Sequence, residues 1–454
     1  MISPRPGRGT IVAVASAPGI GALAVIRLSG PQSVELLAGL IGGTAHVPPV
    51  RHLTLRRLRS PDGDPLDEAL VVRFEAPHSY TGEDAVEITC HGGWVTSTRI
   101  VAALVELGAA PAEPGEFTRR ALLNGRMDLL QAEAVNDLIR AESSAGAQQA
   151  LRQLDGGLSA RIATLRDQLL SLEALIAYDL DFPEEDDGPV TESRVRAAVD
   201  GILGTIDALI ASSPAGELVR NGAVVAIVGP PNVGKSSLFN ALLGRKRALV
   251  TDLPGTTRDA LEAVLDVLPV PLRLVDTAGL REAADEVERL GVEVSRDFLR
   301  NASVVLACGD TPETLQAAQE MARADASGLV LAVRTKLDLA GKSWRAPDDV
   351  VGVSAKDGSG LDALVQRVST AVAREIRLPD PDTPRVTRAR HREVLTRARE
   401  ELIAFRAARE EGVIPPTVIA VHLREALHIL EELVGAVDID EILGRVFSSF
   451  CVGK

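Results

Sequence analysis

The feature that most constrains the fold is an apolar segment followed at once by a glycine-rich motif. Val224–Val228 has the composition of a short buried strand, Gly229–Ser236 matches GxxxxGK[ST], and a helical pattern follows. In such a loop the backbone N–H groups surround phosphates, Lys235 reaches the terminal phosphates and the Ser236 hydroxyl can bind magnesium. The surrounding residues 223–375 alternate between strand and helix patterns, which predicts a mainly parallel α/β sheet.

A second motif lies 41 residues after Lys235, where the apolar stretch Leu272–Val275 ends in Asp276. This aspartate can hold the magnesium shell, and Gly279 offers a backbone N–H at the expected position of a γ-phosphate. The spacing makes this short motif a specific signal for a nucleoside triphosphate site.

A third motif predicts the base. Thr335–Asp338 follows the apolar strand Leu329–Val333, and Ser354–Lys356 supplies a weaker element beneath the base. The carboxylate of Asp338 can accept two hydrogen bonds from guanine, which adenine cannot provide, so GTP is favoured over ATP. GTPases usually have Asn at the position of Thr335, and a hydroxyl is a plausible substitute.

The means of hydrolysis is left open by these motifs. Many small GTPases orient water with a Gln where this chain has Leu280, so it is either a slow switch or uses other groups. Asn232 could ligate a monovalent cation together with oxygens of Val250–Asp259, and that cation would act as an arginine finger does. The carboxylates of Asp285–Glu288 could position water, or could simply belong to a solvated helix face.

Composition predicts a cytoplasmic protein of about three domains. The 454 residues exceed one ordinary core of ~150 residues. Three separated cysteines favour neither a disulfide framework nor a zinc cluster, and no apolar run approaches the ~20 residues of a membrane span.

The net charge of −14 means that nucleic-acid contact would need a local basic patch or a partner. The basic run Arg51–Arg59 could be such a patch, although an exposed strand face is favoured.

The predicted architecture is multidomain, α/β plus α. Residues 1–118 form a small α+β domain, residues 221–377 a Ras-like P-loop domain, and residues 119–220 and 378–454 two segments of one helical domain. The P-loop domain is therefore inserted into a discontinuous helical domain, which is tolerated because the termini of an inserted domain usually lie close together.

The sequence resembles the MnmE (TrmE) family of tRNA-modification GTPases over nearly its whole length. The motifs that carry the resemblance are Ser79–Asp84, Cys90–Gly93, Pro114–Ala121, Leu123–Leu129, Gly255–Asp259 and Gly444–Lys454. The resemblance implies a homodimer whose GTPase domains meet across the nucleotide and whose hydrolysis is activated by potassium.

Residue roles follow from the matching positions. Asn232 and Thr256, with the backbone of Thr251 and Leu253, match potassium ligands; Ser236 and Thr257 match magnesium ligands. Glu288 matches the catalytic carboxylate that positions water, beside the catalytic Lys235. The nucleotide-binding set is Asn232, Val233, Gly234, Lys235, Ser236, Ser237, Thr251, Thr256, Thr257, Asp276, Thr277, Ala278, Gly279, Thr335, Lys336, Asp338, Ser354, Ala355 and Lys356.

The resemblance also implies a folate site for a 5-formyl-tetrahydrofolate-type one-carbon donor. Its matching residues are Arg27, Glu87, Arg126 and Lys454, with Lys common in the family where Arg126 stands. Glu87 suits the amino-pyrimidine edge of a pterin, and the cations suit a glutamate tail. Cys451 matches the family's terminal cysteine, for which a buried packing role is favoured over a nucleophilic one.

The implied function is one half of a tRNA wobble-uridine modification system. In the family, the GTPase acts with the FAD-dependent partner MnmG (GidA) to add an aminomethyl or carboxymethylaminomethyl group to carbon 5 of uridine. The alternatives are a regulatory GTPase that acts on another protein or a ribosomal particle, and a P-loop ATPase or transporter motor. The folate residues and the Cys-Val-Gly-Lys tail argue against the first alternative, and Asp338 argues against the second.

Overall fold

The computed structural model describes residues 9–181, 191–245, 262–276, 298–340, 347–376, 384–411, 416–435, 446–447 and 450–453. These residues form two compact units, one from the described parts of 1–136 and 431–454, the other from those of 137–430. The domain boundaries predicted at residues 118, 220 and 377 stay predictions.

The first unit is built on one mixed sheet. Its elements are β1 (Ile11–Val14), β2 (Leu23–Ser29), α1 (Ser33–Ile41), β3 (Thr54–Arg59), β4 (Pro65–Phe74), β5 (Ala85–His91), α2 (Trp94–Glu106), β6 (Ala110–Pro111), α3 (Glu116–Leu123) and the start of α4 (Leu129–Ile139). The six strands lie in the order β3-β4-β5-β2-β1-β6, all antiparallel except the β1–β6 pair. Alternating apolar residues of these strands bury one face under α1 and α2.

The basic run is an exposed strand face, as predicted. It contains β3, in which Leu58 is buried while Arg57 and Arg59 face solvent. Among the described residues, Arg57 pairs with Glu68 of β4 at 3.3 Å. Both side chains are exposed, and such pairs contribute little to stability.

The second unit begins with helices that lead directly into a parallel sheet. Its elements are α5 (Ser144–Leu154), α6 (Gly157–Asp181), α7 (Glu192–Asn221), β7 (Ala223–Val228), α8 (Lys235–Arg245), β8 (Glu262–Leu265), β9 (Leu272–Asp276), β10 (Val304–Gly309), α9 (Pro312–Asp325), β11 (Leu329–Arg334), β12 (Val350–Gly352), α10 (Leu361–Ile376), α11 (Ala389–Glu411) and α12 (Pro416–Val434). The strand order is β12-β11-β10-β7-β9-β8. All neighbours are parallel except β8 and β9, which confirms the predicted sheet type.

Helices from before and after the sheet lie against each other. α7 precedes β7 and α11 follows α10, yet acidic residues of α7 pair with arginines of α11. Examples are Asp200 with Arg406 and Glu192 with Arg409. The segment before α11 crosses α7 at Gly216, where an added Cβ would lie 2.1 Å from the Val386 carbonyl oxygen. The helices α7 and α11, which precede and follow the sheet in the sequence, therefore pack against each other.

Candidate guanine-nucleotide site

The phosphate end of the site is the loop between β7 and α8. Its backbone enters the left-handed region at Asn232 (φ 63°) and Gly234 (φ 96°), as a loop curled around an anion requires. An added Cβ at Gly229 would lie 2.2 Å from the Cys308 carbonyl oxygen, so only glycine fits against β10 there. Lys235 donates from Nζ to the carbonyl oxygens of Gly229 at 2.9 Å and Pro230 at 2.8 Å. The ammonium group thus lies within the loop itself.

The magnesium position is marked by a hydroxyl–carboxylate pair. Ser236 at the start of α8 donates from Oγ to Oδ2 of Asp276, at the end of β9, over 2.9 Å. Asp276 is only 5% exposed, and hard oxygen ligands of this kind suit Mg²⁺. The two residues are 40 positions apart and meet because β7 and β9 are parallel neighbours.

The base end of the site lies where β11 ends. Lys336 has a positive φ of 53° and begins a short 3-10 turn that presents the exposed Asp338. The buried Ser354 donates from Oγ to Oδ1 of Asp338 at 2.9 Å. This bond fixes one carboxylate oxygen and orients the other. Ala355 is half-buried and Lys356 is exposed beside this pair.

Asp310 contributes to the site and was missed by the sequence analysis. It follows β10 directly and accepts from Lys336 Nζ at 2.8 Å and from Thr314 Oγ1 at 3.1 Å. The bond from Lys336 is the main cause that lowers the pKa of Asp310. Lys336 Nζ also donates to the Asn232 carbonyl oxygen at 2.7 Å, so this side chain links the base-binding turn to the phosphate loop. The position of Asp310 at the carboxyl end of a parallel strand was the available signal.

Several predicted residues lie outside the described residues. They are Thr251, Leu253, Thr256, Thr257, Thr277, Ala278, Gly279 and Glu288 of the nucleotide site, and Lys454 of the folate site. Leu280 and the carboxylates of Asp285–Glu288 lie outside as well.

Three of the predicted folate residues line one cavity of about 440 Å³ in the first unit. Arg27 on β2 faces Glu87 on β5 and donates to its Oε1 from Nε at 2.9 Å and Nη2 at 2.8 Å. The guanidinium carbon of Arg27 lies 5.1 Å from the ring centre of Tyr80. Within the described part of the chain, the buried Nη1 of Arg27 has no hydrogen-bond partner.

The loop beside this cavity is held by a buried polar network. The Ser29 hydroxyl donates to Glu83 Oε2 at 2.7 Å and lies 2.6 Å from Thr81 Oγ1. Arg120 donates to the same Glu83 oxygen at 3.1 Å and to Glu116 at 2.9 Å. These bonds explain two of the recognised motifs, Ser79–Asp84 and Pro114–Ala121, because each supplies partners that the other needs when buried.

The exposure of Cys451 contradicts the buried packing role that the sequence favours. Cys451 is exposed among the described residues, whereas Cys90 and Cys308 are buried, so the buried packing role is wrong for this residue. That role fits Cys308, whose thiol pKa is raised by burial to about 12.

A phosphate loop, a hydroxyl–carboxylate pair and an exposed carboxylate held by a serine hydroxyl at one edge of a mainly parallel sheet define the class of P-loop GTPases. A family model described as the MnmE helical domain matches residues 129–451, and one described as the N-terminus of the GTP-binding protein TrmE matches residues 10–126. The tRNA modification GTPase MnmE of Moorella thermoacetica is 42% identical, over 98% of this chain and 99% of that protein. That of Aquifex aeolicus is 40% identical, over 98% and 100%. The chain belongs to the MnmE family of tRNA modification GTPases.

Among the helices that the structure describes, none combines the length and apolar character needed to cross a membrane.

Proposed function

We propose that this protein is a potassium-activated GTPase of a cytoplasmic tRNA wobble-uridine modification system. Asp338, held by Ser354 at the sheet edge that also carries Lys235, is the observation that supports GTP as the substrate. The names of the similar proteins from Moorella thermoacetica and Aquifex aeolicus support tRNA modification as the purpose of hydrolysis.

The described residues would divide the work of phosphate binding. Lys235 is charged and already lies among loop carbonyls, so it can move a short distance to the β- and γ-phosphates. Ser236 and Asp276 would hold the magnesium ion, which supplies charge neutralisation at the transferred phosphoryl group. Glu288 is proposed to orient the attacking water.

The proposed potassium site is supported by the setting of Asn232. Its backbone is held in the left-handed conformation and its carbonyl is fixed by Lys336. Its side chain is exposed and, within the described residues, has no hydrogen-bond partner. The backbone of Asn232 is thus fixed while its side-chain amide oxygen is available to ligate a weakly hydrated cation, and that cation would supply positive charge near the transferred phosphate. Thr251, Leu253 and Thr256 would complete the ligand set, and Thr257 would join Ser236 at magnesium.

GTP turnover in potassium against sodium chloride at matched ionic strength tests this proposal. We expect at least tenfold faster turnover in potassium, because one electrostatic group that stabilises the transition state typically raises the rate by this factor or more. Asn232→Ala should remove most of the potassium stimulation, and Glu288→Ala should retain GTP binding but lose turnover in both salts. Equal, slow wild-type rates in the two salts would contradict potassium activation, while GTP binding measured in parallel would still report on the nucleotide site.

The cavity in the first unit is proposed to bind a 5-formyl-tetrahydrofolate-type donor. Arg27 bonds only to Oε1 of Glu87 in this pair, so Oε2 can accept a hydrogen bond from a pterin. The unpartnered Nη1 of Arg27 can donate to the same pterin. Arg126 and Arg51 also line the cavity, and neither has an acidic partner among the described residues. The charge of Arg27 is balanced by Glu87, whereas, within the described part of the chain, those of Arg51 and Arg126 are not. These two arginines suit the two carboxylates of a glutamate tail. Lys454 is proposed as a further contact.

Calorimetry with 5-formyl-tetrahydrofolate tests this site. Arg27→Ala should weaken binding at least tenfold, because it removes the free donor and leaves Glu87 partly buried and unpaired. Arg57→Ala, on the exposed face of β3, is the matched control and should bind as the wild type does. Unchanged binding by Arg27→Ala would reject the assignment.

The proposed assembly is a homodimer that acts with the FAD-dependent protein MnmG (GidA) on tRNA. Folate would supply the carbon added to position 5 of uridine, and the flavin of the partner would supply the redox chemistry. Gel filtration of the chain alone and with MnmG tests both associations, and elution as a monomer in each case would contradict them.

A further inference from the structure

The residue that departs from the usual GTPase pattern, Thr335, has its hydroxyl already engaged. Thr335 directly follows β11 and is 3% exposed. Its Oγ1 donates to the carbonyl oxygen of Val233 in the phosphate loop at 2.5 Å. Its backbone N–H donates to the Gly309 carbonyl oxygen at 2.9 Å. These bonds tie Thr335 to the phosphate loop and to the end of β10.

The position of Thr335 places it beside a bound base. The Cβ direction of Gly234 points at Thr335 Cβ (3.9 Å) and at Lys336 Cγ (3.9 Å), so the base-binding segment lies directly on the phosphate loop. A base joined through its ribose to phosphates in that loop must pass along this segment to reach Asp338. With its N1 and amino edge at Asp338, guanine would turn the edge with O6 and N7 to one side of the base, which we take to be the side of Thr335.

The donor count of a hydroxyl decides what Thr335 can do there. A hydroxyl has one hydrogen and otherwise only accepts. The O6–N7 edge of guanine presents only acceptors, so a hydroxyl whose hydrogen is given to Val233 cannot bond to it. If the hydroxyl turned to N7, the Val233 carbonyl would lose its bond, and the exchange would bring no net gain.

We infer that this protein reads guanine from one edge only, through Asp338, and that Thr335 supports the phosphate loop without contacting N7. This inference rests on the nucleotide site proposed above. The protein accepts guanine nucleotides whose N7 is absent or blocked, and an amide at position 335, which has two N–H donors, restores recognition of N7 while keeping the bond to Val233.

Calorimetry of the full-length chain with GDP and 7-deaza-GDP, in which N7 is replaced by C–H, tests the inference. The wild type should bind both nucleotides within about twofold. Thr335→Asn should prefer GDP by about three- to tenfold, the range for one added hydrogen bond. Thr335→Val, the matched control, removes the hydroxyl without adding an amide; it should weaken both nucleotides equally and keep their ratio near one.

The outcomes separate the inference from the site on which it rests. A wild-type preference for GDP of fivefold or more would overturn the inference, and this result needs no variant. Equal binding of both nucleotides by a folded Thr335→Asn that binds GDP would also overturn it, since position 335 would then not face N7. Failure of the wild type to bind GDP at all would contradict the nucleotide site itself.

Discussion

Lys235→Ala is expected to lower kcat/KM for GTP by about 10³-fold or more. The substitution removes a charged donor that the structure holds among the loop carbonyls of Gly229 and Pro230. Charge-assisted hydrogen bonds to phosphate contribute about 1.5–3 kcal/mol to binding, and loss of an electrostatic group at the transition state costs about 10²-fold further in rate. Initial rates of phosphate release at several GTP concentrations measure the change.

The matched control for this variant is Arg323→Ala. Arg323 is an exposed cation on α9 of the same unit, so its removal changes the net charge equally but leaves the phosphate loop intact. Its kcat/KM should stay within about twofold of the wild type, because exposed charges contribute little. Near-wild-type turnover by a folded Lys235→Ala would exclude Lys235 from the mechanism.

Asp338→Asn is expected to exchange the preferred base from guanine to xanthine. Ser354 donates to Oδ1 of Asp338, so the Asn carbonyl oxygen would take the Oδ1 position and its NH₂ group would take the other. Guanine presents two donors there, and one would then face the NH₂ donor. We expect GDP affinity to fall by roughly 10²-fold, since the lost charge-assisted bond and an unpaired donor each cost about 1–3 kcal/mol.

Xanthosine diphosphate should show the opposite change. Xanthine has a carbonyl oxygen where guanine has its amino group, so the Asn NH₂ gains an acceptor and the variant should bind this nucleotide more tightly than GDP. Calorimetry with both nucleotides gives the two affinities, and Asp349→Asn, which changes another exposed carboxylate, should keep the wild-type order. An unchanged preference for GDP in Asp338→Asn would show that this carboxylate does not select the base.

The sequence determined the elements whose signals are local. The strand, loop and helix around Gly229–Ser236 are contiguous, and the φ of 96° at Gly234 favours glycine whatever surrounds the loop. Alternation of strands and helices over residues 223–375 likewise predicted the parallel sheet that the structure shows. Asp338 was identified because the apolar strand Leu329–Val333 that marks its motif ends only a few residues before it in the chain.

Tertiary structure alone decided which side chains meet. Asp310 pairs with Lys336 because β10 and β11 are parallel neighbours that end together. Arg27 pairs with Glu87 rather than pointing separately at a ligand, because the β2–β5 register sets them opposite each other across 60 residues of sequence. The Thr335 hydroxyl turns to Val233, 102 residues away, and Cys451 is exposed. Each of these outcomes depends on strand register and on neighbours distant in the chain, which a local pattern of residues does not contain.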